Sequence, residues 1–510
     1  MAPGSLEESA GQAASMSART AGRGVISTYA GLAVGVLLNL GTTPLVLSGL
    51  GARAFGALAL ASTAAGYLGF IELGTGTATL RRLAAAFARR DDTRLVAVLS
   101  ANLAVNALFA GIGAIVVVVV TIAFPTLFHI GDDQATAARV SFVLLATVQL
   151  ITFLTSGYSA LLNGSGRLST MVAFGILSNV STSVIFIVGA QLRLGIVVIA
   201  AGSLAAAIFS AVVVRVVSRR SLPFVRPRLR DASRPLVIEL VRSGGYNVVI
   251  AVGTLMATGL DLVIVGALFD TQRVAGYAIA AVAVAAARTI ATRGTDALSV
   301  TYAQSHALDQ RLRQLTIFKE SLLAGLAVSG AVALALCLLG EPLLQLWLGS
   351  PPQGALPVLV LLGAALPLQV VGHSATTVLI ATERLRFLAI GCLVAGGANL
   401  TVSILLAQRV GITGPAIGTL CAAVLLEGIV LPGYVLRTLG ARRVDVVELL
   451  LRIVAPLAVL ATLLVIDRTL VHRPAVVAAA GVAALVPFVI VLLVCFGSDR
   501  RTQYVQLLRR

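Results

Sequence analysis

Residues 215–242 read RVVSRRSLPFVRPRLRDASRPLVIELVR. Eight arginines (Arg215, Arg219, Arg220, Arg226, Arg228, Arg230, Arg234 and Arg242) stand there against only Asp231 and Glu239. A basic run of this kind grips a nucleic-acid backbone, solvates a disordered tail, or holds a loop at the inner face of a membrane. Its flanks decide which. On both sides the chain is apolar for long distances: 58% of its residues are hydrophobic and only 12% are charged. Soluble domains run at about 45–50% apolar and about 25% charged. With a mean hydropathy of +0.99, no soluble core of this length hides so much apolar surface, so the solvent is lipid.

The net charge of +17 taken alone would suit a nucleic-acid partner. The basic side chains, however, fall in short loops between apolar spans and are not interleaved with aromatic residues on a polar surface. Nucleic acid is therefore not expected as a partner, and the lipid bilayer is. Cys337, Cys392, Cys421 and Cys495 all lie inside apolar spans without close spacing, and His129, His306, His373 and His472 are scattered. No disulfide framework, metal set or cofactor motif emerges. Residues 1–22 are small, polar and acidic before they turn basic, unlike a signal peptide, and read as a disordered cytoplasmic tail.

A helix needs roughly 20 apolar residues to cross the hydrocarbon. That ruler gives spans at 24–47, 54–74, 96–124, 137–162, 168–190 and 195–217 before the basic run. After it come 244–268, 274–293, 319–340, 356–381, 387–408 and 412–436, then a final pair at 447–466 and 474–496. With the N-terminus inside, 31 of the 38 Lys and Arg residues fall in inner loops and span ends, and 7 fall outside. This is the asymmetry of the positive-inside rule. Both termini are expected in the cytoplasm, in a plasma (inner) membrane. The fold expected is an all-α polytopic membrane protein of about 14 transmembrane helices. Its parts are the tail 1–22, a first six-helix lobe at 23–217, a basic cytoplasmic linker at 218–243, a second lobe at 244–436, and a helix pair with a basic tail at 437–510.

Small-residue clusters, GTGTAT at 74–79, AVAVAAA at 281–287 and AGGAN at 395–399, let helices approach closely in lipid, where packing drives association. Pro44 and Pro367 lie inside spans, where they either permit a functional bend or are simply tolerated. Asn39, Asn102, Asn106, Asn247 and Asn399 are uncharged hydrogen-bonders that either hold helices together, the role expected first, or contact sugars.

Four stretches carry a family resemblance. LGARAFGALALASTAAGYLGFIELGTGTATLRRLAAAFARR (50–90) resembles the second helix of Wzx-type polysaccharide flippases. GLDLVIVGALFDTQRVAGYAIA (259–280) is similar to that family's turn from the seventh to the eighth helix. EPLLQLWLGS (341–350) resembles the turn after the ninth helix, and TERLRFLAIGCLVAGGANLTVSILLAQRVGITGPAIGT (382–419) the eleventh and twelfth. The likeness runs from about residue 20 to 440. It implies the fold of the multidrug/oligosaccharidyl-lipid/polysaccharide (MOP) exporter superfamily. It also implies a non-enzymatic flippase that moves a polyprenyl-pyrophosphate-linked oligosaccharide to the outer leaflet for surface polysaccharide such as the O-antigen of lipopolysaccharide. Partners would include the polymerase and glycosyltransferases of the same pathway. A multidrug or cation antiporter of the same superfamily and a membrane polysaccharide polymerase or ligase remain as alternatives.

Such a substrate calls for cations facing its pyrophosphate, and arginine forks suit phosphate oxygens. The candidates are Arg23 at the start of the first helix, Arg81 and Arg82 after the second, and Arg288 and Arg293 toward the inner end of the eighth. Counted from Val274, Arg288 lies about 21 Å into the membrane, deeper than a loop anchor requires. Glu72, Asp261 and Glu427 are the candidate coupling or gating acids, since a charge inside a span marks function by default. Glu72, near the inner face, is within reach of a pair with Arg81 or Arg82. Asp261 is either an interfacial polar residue or a proton or cation site, and Glu427 needs a partner or a proton.

Overall fold

The computed structural model describes residues 4–71, 73–165 and 168–442. Among these the chain is helical throughout: it is an all-α polytopic membrane protein. Eleven stretches are long and apolar enough to cross a bilayer. The first, Gly31–Gly69, has 39 residues, about 58 Å of helix and roughly twice the hydrocarbon thickness. It is split at Gly51, whose φ of 76° and ψ of 163° are open to glycine and strained for other residues. Two crossings therefore lie in this stretch, and the described residues supply the twelve spans expected up to residue 436. The expected pair at 447–466 and 474–496 lies outside the described residues.

The described residues divide into two compact units, one reaching to residue 248 without 128–130, the other of 128–130 and the described residues from 249 onward. The first holds α1 (Gly4–Gly66), which begins within the stretch read as a tail, then α2 (Leu73–Ala88), α3 (Asp92–Leu127), α4 (Asp132–Gly164), α5 (Leu168–Gln191) and α6 (Ile196–Ser221). It also takes the first part of α7 (Arg234–Thr254). Its two ends are sorted as alternating crossings require. At one end Gln191 donates to the Leu45 carbonyl at 2.7 Å, where Gly49 packs against the Ala190 backbone. At the other end Leu83, Ala86, Leu95, Leu161 and Val225 form a buried cluster, with Leu222 and Leu236 packed on it.

That second cluster shows what the basic run does locally. Its arginines line an otherwise amphipathic strap whose apolar residues are inserted into the helix ends. Val225 is buried, Leu240 packs with Ala78, Ala101 and Val105, and the Arg228 N–H donates to Ser100 Oγ at 3.2 Å. The linker is docked on the first unit. Farther along α3 the opposite chemistry holds: Val118, Val119 and Ile122 are exposed, a lipid-facing surface that water would penalise by roughly 1.5–3 kcal/mol per side chain.

The second unit holds the end of α7, α8 (Asp261–Leu268), α9 (Thr271–Ala297), α10 (Ser299–Ala307), α11 (Arg311–Leu338) and α12 (Gly340–Leu348). It continues with α13 (Ala355–Ala381), α14 (Leu385–Val410), α15 (Thr413–Ala422) and α16 (Leu431–Thr438). Two π-helical segments interrupt this unit, Leu255–Gly259 between α7 and α8 and Ala423–Val430 between α15 and α16. The inner stretch between the spans expected at 274–293 and 319–340 contains α10, anchored by Tyr302, which is buried and hydrogen-bonded to Ser321 at 3.0 Å. Pro44 and Pro367 both sit inside helices.

Candidate functional site

The polar chemistry of the second unit gathers around two carboxylates, each beside or within a π-helical segment. A π turn carries one extra residue and leaves backbone carbonyls without their usual partners; such turns recur at functional sites. In lipid those carbonyls must be satisfied by neighbouring groups. Here Asn399 on α14 does it, donating to the Ala257 carbonyl at 2.8 Å and to that of Met256 at 3.4 Å. The approach is possible because Gly396 lies against the Gly253 carbonyl and the Met256 side chain. The AGGAN stretch thus makes the close contact its small residues predict, and Asn399 makes the helix-to-helix bond expected of it. In the first unit Asn106 does likewise, donating to the Phe153 carbonyl and to Ser156 Oγ, both at 2.9 Å.

Asp261 opens α8 directly after the first π segment and is 4% exposed. Its Oδ2 accepts from Tyr277 Oη and from Thr419 Oγ1, each at 2.7 Å. Its Oδ1 is buried and accepts no hydrogen bond. A carboxylate held on one oxygen with the other unpaired can take up a proton or a cation there, since a bare charge in this setting is costly.

Glu427 lies inside the second π segment with its side chain over Gly372. Its Oε2 is buried and accepts no hydrogen bond. Arg288 and His373 are both within electrostatic reach of it. His373 in turn holds Asp296, through Nε2 and Oδ1 at 2.7 Å, and Arg293 holds the other oxygen of Asp296 at 3.0 Å. Thr295 and Ser374 join the same two helices one position along, at 3.2 Å. α9, α13 and the second π segment therefore share one ionisable cluster: Arg288, Arg293, Asp296, His373 and Glu427.

The expected residues fare differently. Arg288, Arg293 and Glu427 are brought together, and Asp261 stands in its own pocket of hydroxyls. Arg288 is half-buried, with no hydrogen bond or ion pair to its guanidinium among the described residues. Arg81 is exposed on α2. Arg82 is held by Glu239 of α7 at 2.7 Å, an acid from the basic linker region. Glu72, its candidate partner, and the Arg23 side chain lie outside the described residues. Sequence reasoning missed Asp296 and His373. A usable signal existed for His373, an ionisable residue within an apolar span. None existed for its pairing with a residue 77 positions away.

Fold and hydropathy together define a multi-pass, all-α membrane protein, and its fold is similar to those of solved membrane transporters. A structure described as the lipid II flippase MurJ in an inward closed conformation superposes with a TM-score of 0.69 at 12% identity, covering 94% of this chain and 99% of that one. An inward-facing multidrug resistance MATE family transporter of the MOP superfamily superposes with a TM-score of 0.65 at 15% identity, covering 79% of this chain and 95% of the other. A MATE structure in complex with MaD3S gives 0.56 at 16%, covering 81% and 95%. No curated protein sequence is significantly similar to the chain. Residues 21–298 match the family described as "Polysaccharide biosynthesis protein", and the chain belongs to that family.

Proposed function

We propose that the protein flips a polyprenyl-pyrophosphate-linked oligosaccharide from the cytoplasmic to the outer leaflet of the plasma membrane, as a transporter and not an enzyme, during surface polysaccharide synthesis. The family match over residues 21–298 carries this reading. The MurJ-like fold supports it, because that superposition takes in 94% of the chain against 79% for the MATE transporter. The excess of basic residues in alternate loops supports cytoplasmic termini.

Arg288 is the residue to engage the pyrophosphate, with Arg293, Arg81, Arg82 and Arg23 contributing along the path. Asp261, Glu427 and Glu72 couple or gate the cycle, which proceeds by alternating access of the two units. When phosphate enters beside Arg288, Glu427 loses the cation in its reach. This makes phosphate binding and the charge state of Glu427 mutually dependent.

Deleting the gene tests the reading. Lipid-linked glycan should accumulate in the inner leaflet and surface polysaccharide should disappear; intact surface glycan with no inner-leaflet intermediate sinks it. Arg288→Ala should insert at wild-type level and lower export at least about a hundredfold, given about 2.7 kcal/mol or more for a charge-assisted bidentate contact.

A further inference from the structure

The first unit contains a cavity of about 520 Å³ lined by α1, α4, α5 and α6. On α4 it reaches from Leu145 to Ser159, about 21 Å along the helix, a large part of the membrane's hydrocarbon depth. No acidic or basic residue lines it. Its polar groups are the side-chain amide of Gln149 and hydroxyls on all four helices. Thr152, Thr155 and Ser203 return their hydroxyl protons to carbonyls of their own helices, which leaves oxygen lone pairs facing the space. Gln149, Ser159, Ser178, Thr182 and Ser210 form no hydrogen bond with any described residue. Ser62 Oγ is buried at its edge and likewise unpartnered. Phe174 and Phe186 supply flat apolar walls.

Polar groups left unsatisfied at membrane depth are costly and mark function. The volume falls in the range of small-molecule sites, about 300–1,000 Å³. We propose that this cavity is a binding site for uncharged sugar rings, the neutral hexose or N-acetylhexosamine units of a glycan. Sugar hydroxyls donate and accept at once, as do serine, threonine and glutamine side chains, and the C–H face of a pyranose lies against a phenyl ring. A pyrophosphate finds no counter-charge here, and a hydrocarbon tail leaves every free donor unpaired. That the rings belong to a lipid-linked glycan rests on the flippase reading; the chemistry of the cavity does not.

The full chain in nanodiscs provides the test. A Ser210→Cys variant is labelled with a maleimide and the modification is read at that residue by mass spectrometry. Dodecyl maltoside, an uncharged disaccharide on a twelve-carbon chain, should slow labelling saturably, while dodecanol and dodecyl phosphate should not. Adding Thr182→Val, which removes one free hydroxyl at nearly constant shape, should raise the half-protecting concentration about fivefold, the worth of one neutral hydrogen bond. Its labelling rate without ligand should be unchanged, which shows that the cavity persists. Equal protection by dodecanol makes the cavity an apolar chamber and overturns the proposal. Absence of protection, or indifference to Thr182→Val, overturns it as well. Protection in this assay together with intact glycan export in the deletion strain removes the flippase reading and leaves the sugar site standing.

Discussion

Asp261 accepts two short hydrogen bonds on one oxygen and none on the other. The asymmetry separates its structural role from its chemical one. In Asp261→Asn the remaining amide oxygen can still accept from Tyr277 and Thr419, so insertion and Tm should stay near wild type. Export should fall to background, because an amide neither binds a proton nor carries a charge in this range. Wild-type export from Asp261→Asn, measured on surface polysaccharide, would falsify its role in coupling. The presence of Asp261 in an apolar span was legible in the sequence. Its partners were not, because Thr419 lies 158 positions away and hydroxyls of this kind occur throughout the spans. The same holds for the Arg82–Glu239 pair: residue type announced a charge, and only packing chose the partner.

At the scale of elements, the second unit is held together where side chains are absent. Gly253 of α7 and Gly396 of α14 cross so closely that a methyl group added at Gly396 would meet the Gly253 carbonyl. Backbone atoms cannot swing aside as a flexible side chain does. Gly396→Ala should therefore destabilise the unit by about 1–3 kcal/mol, the usual cost of overpacking, and displace Asn399 from the π-helical carbonyls it satisfies. A lower Tm in detergent should accompany lost export, whereas an unchanged Tm would show that the two helices can separate freely. The small-residue run at 395–399 pointed to this contact. Neither π segment was readable, since an extra residue in a turn leaves no mark in the hydrophobic pattern. Likewise α10 was hidden in a loop that is basic and polar in sequence yet buries Tyr302.

For the whole molecule, the distribution of charge predicts an orientation. Arg226 in the linker and Gln272 in the first turn of α9 should lie on opposite sides of the membrane. Single cysteines at these positions should react with an impermeant thiol reagent from inside and outside respectively; labelling from the same side reverses the topology. The basic run at 215–242 and the apolar spans on either side of it were enough to read a polytopic membrane protein and to predict which loops face inward. The physical reason is that bilayer thickness and the positive-inside bias act on local composition, which a sequence carries directly. Only the tertiary structure decided that the run is a strap whose Val225 and Leu240 are buried in the first unit. It alone joined Arg288, Arg293, Asp296, His373 and Glu427 across three elements, and opened an uncharged, hydroxyl-lined cavity among α1, α4, α5 and α6. Those outcomes depend on how helices rotate and cross against one another, and in lipid that is settled by the fit of whole surfaces, with no single segment carrying the information.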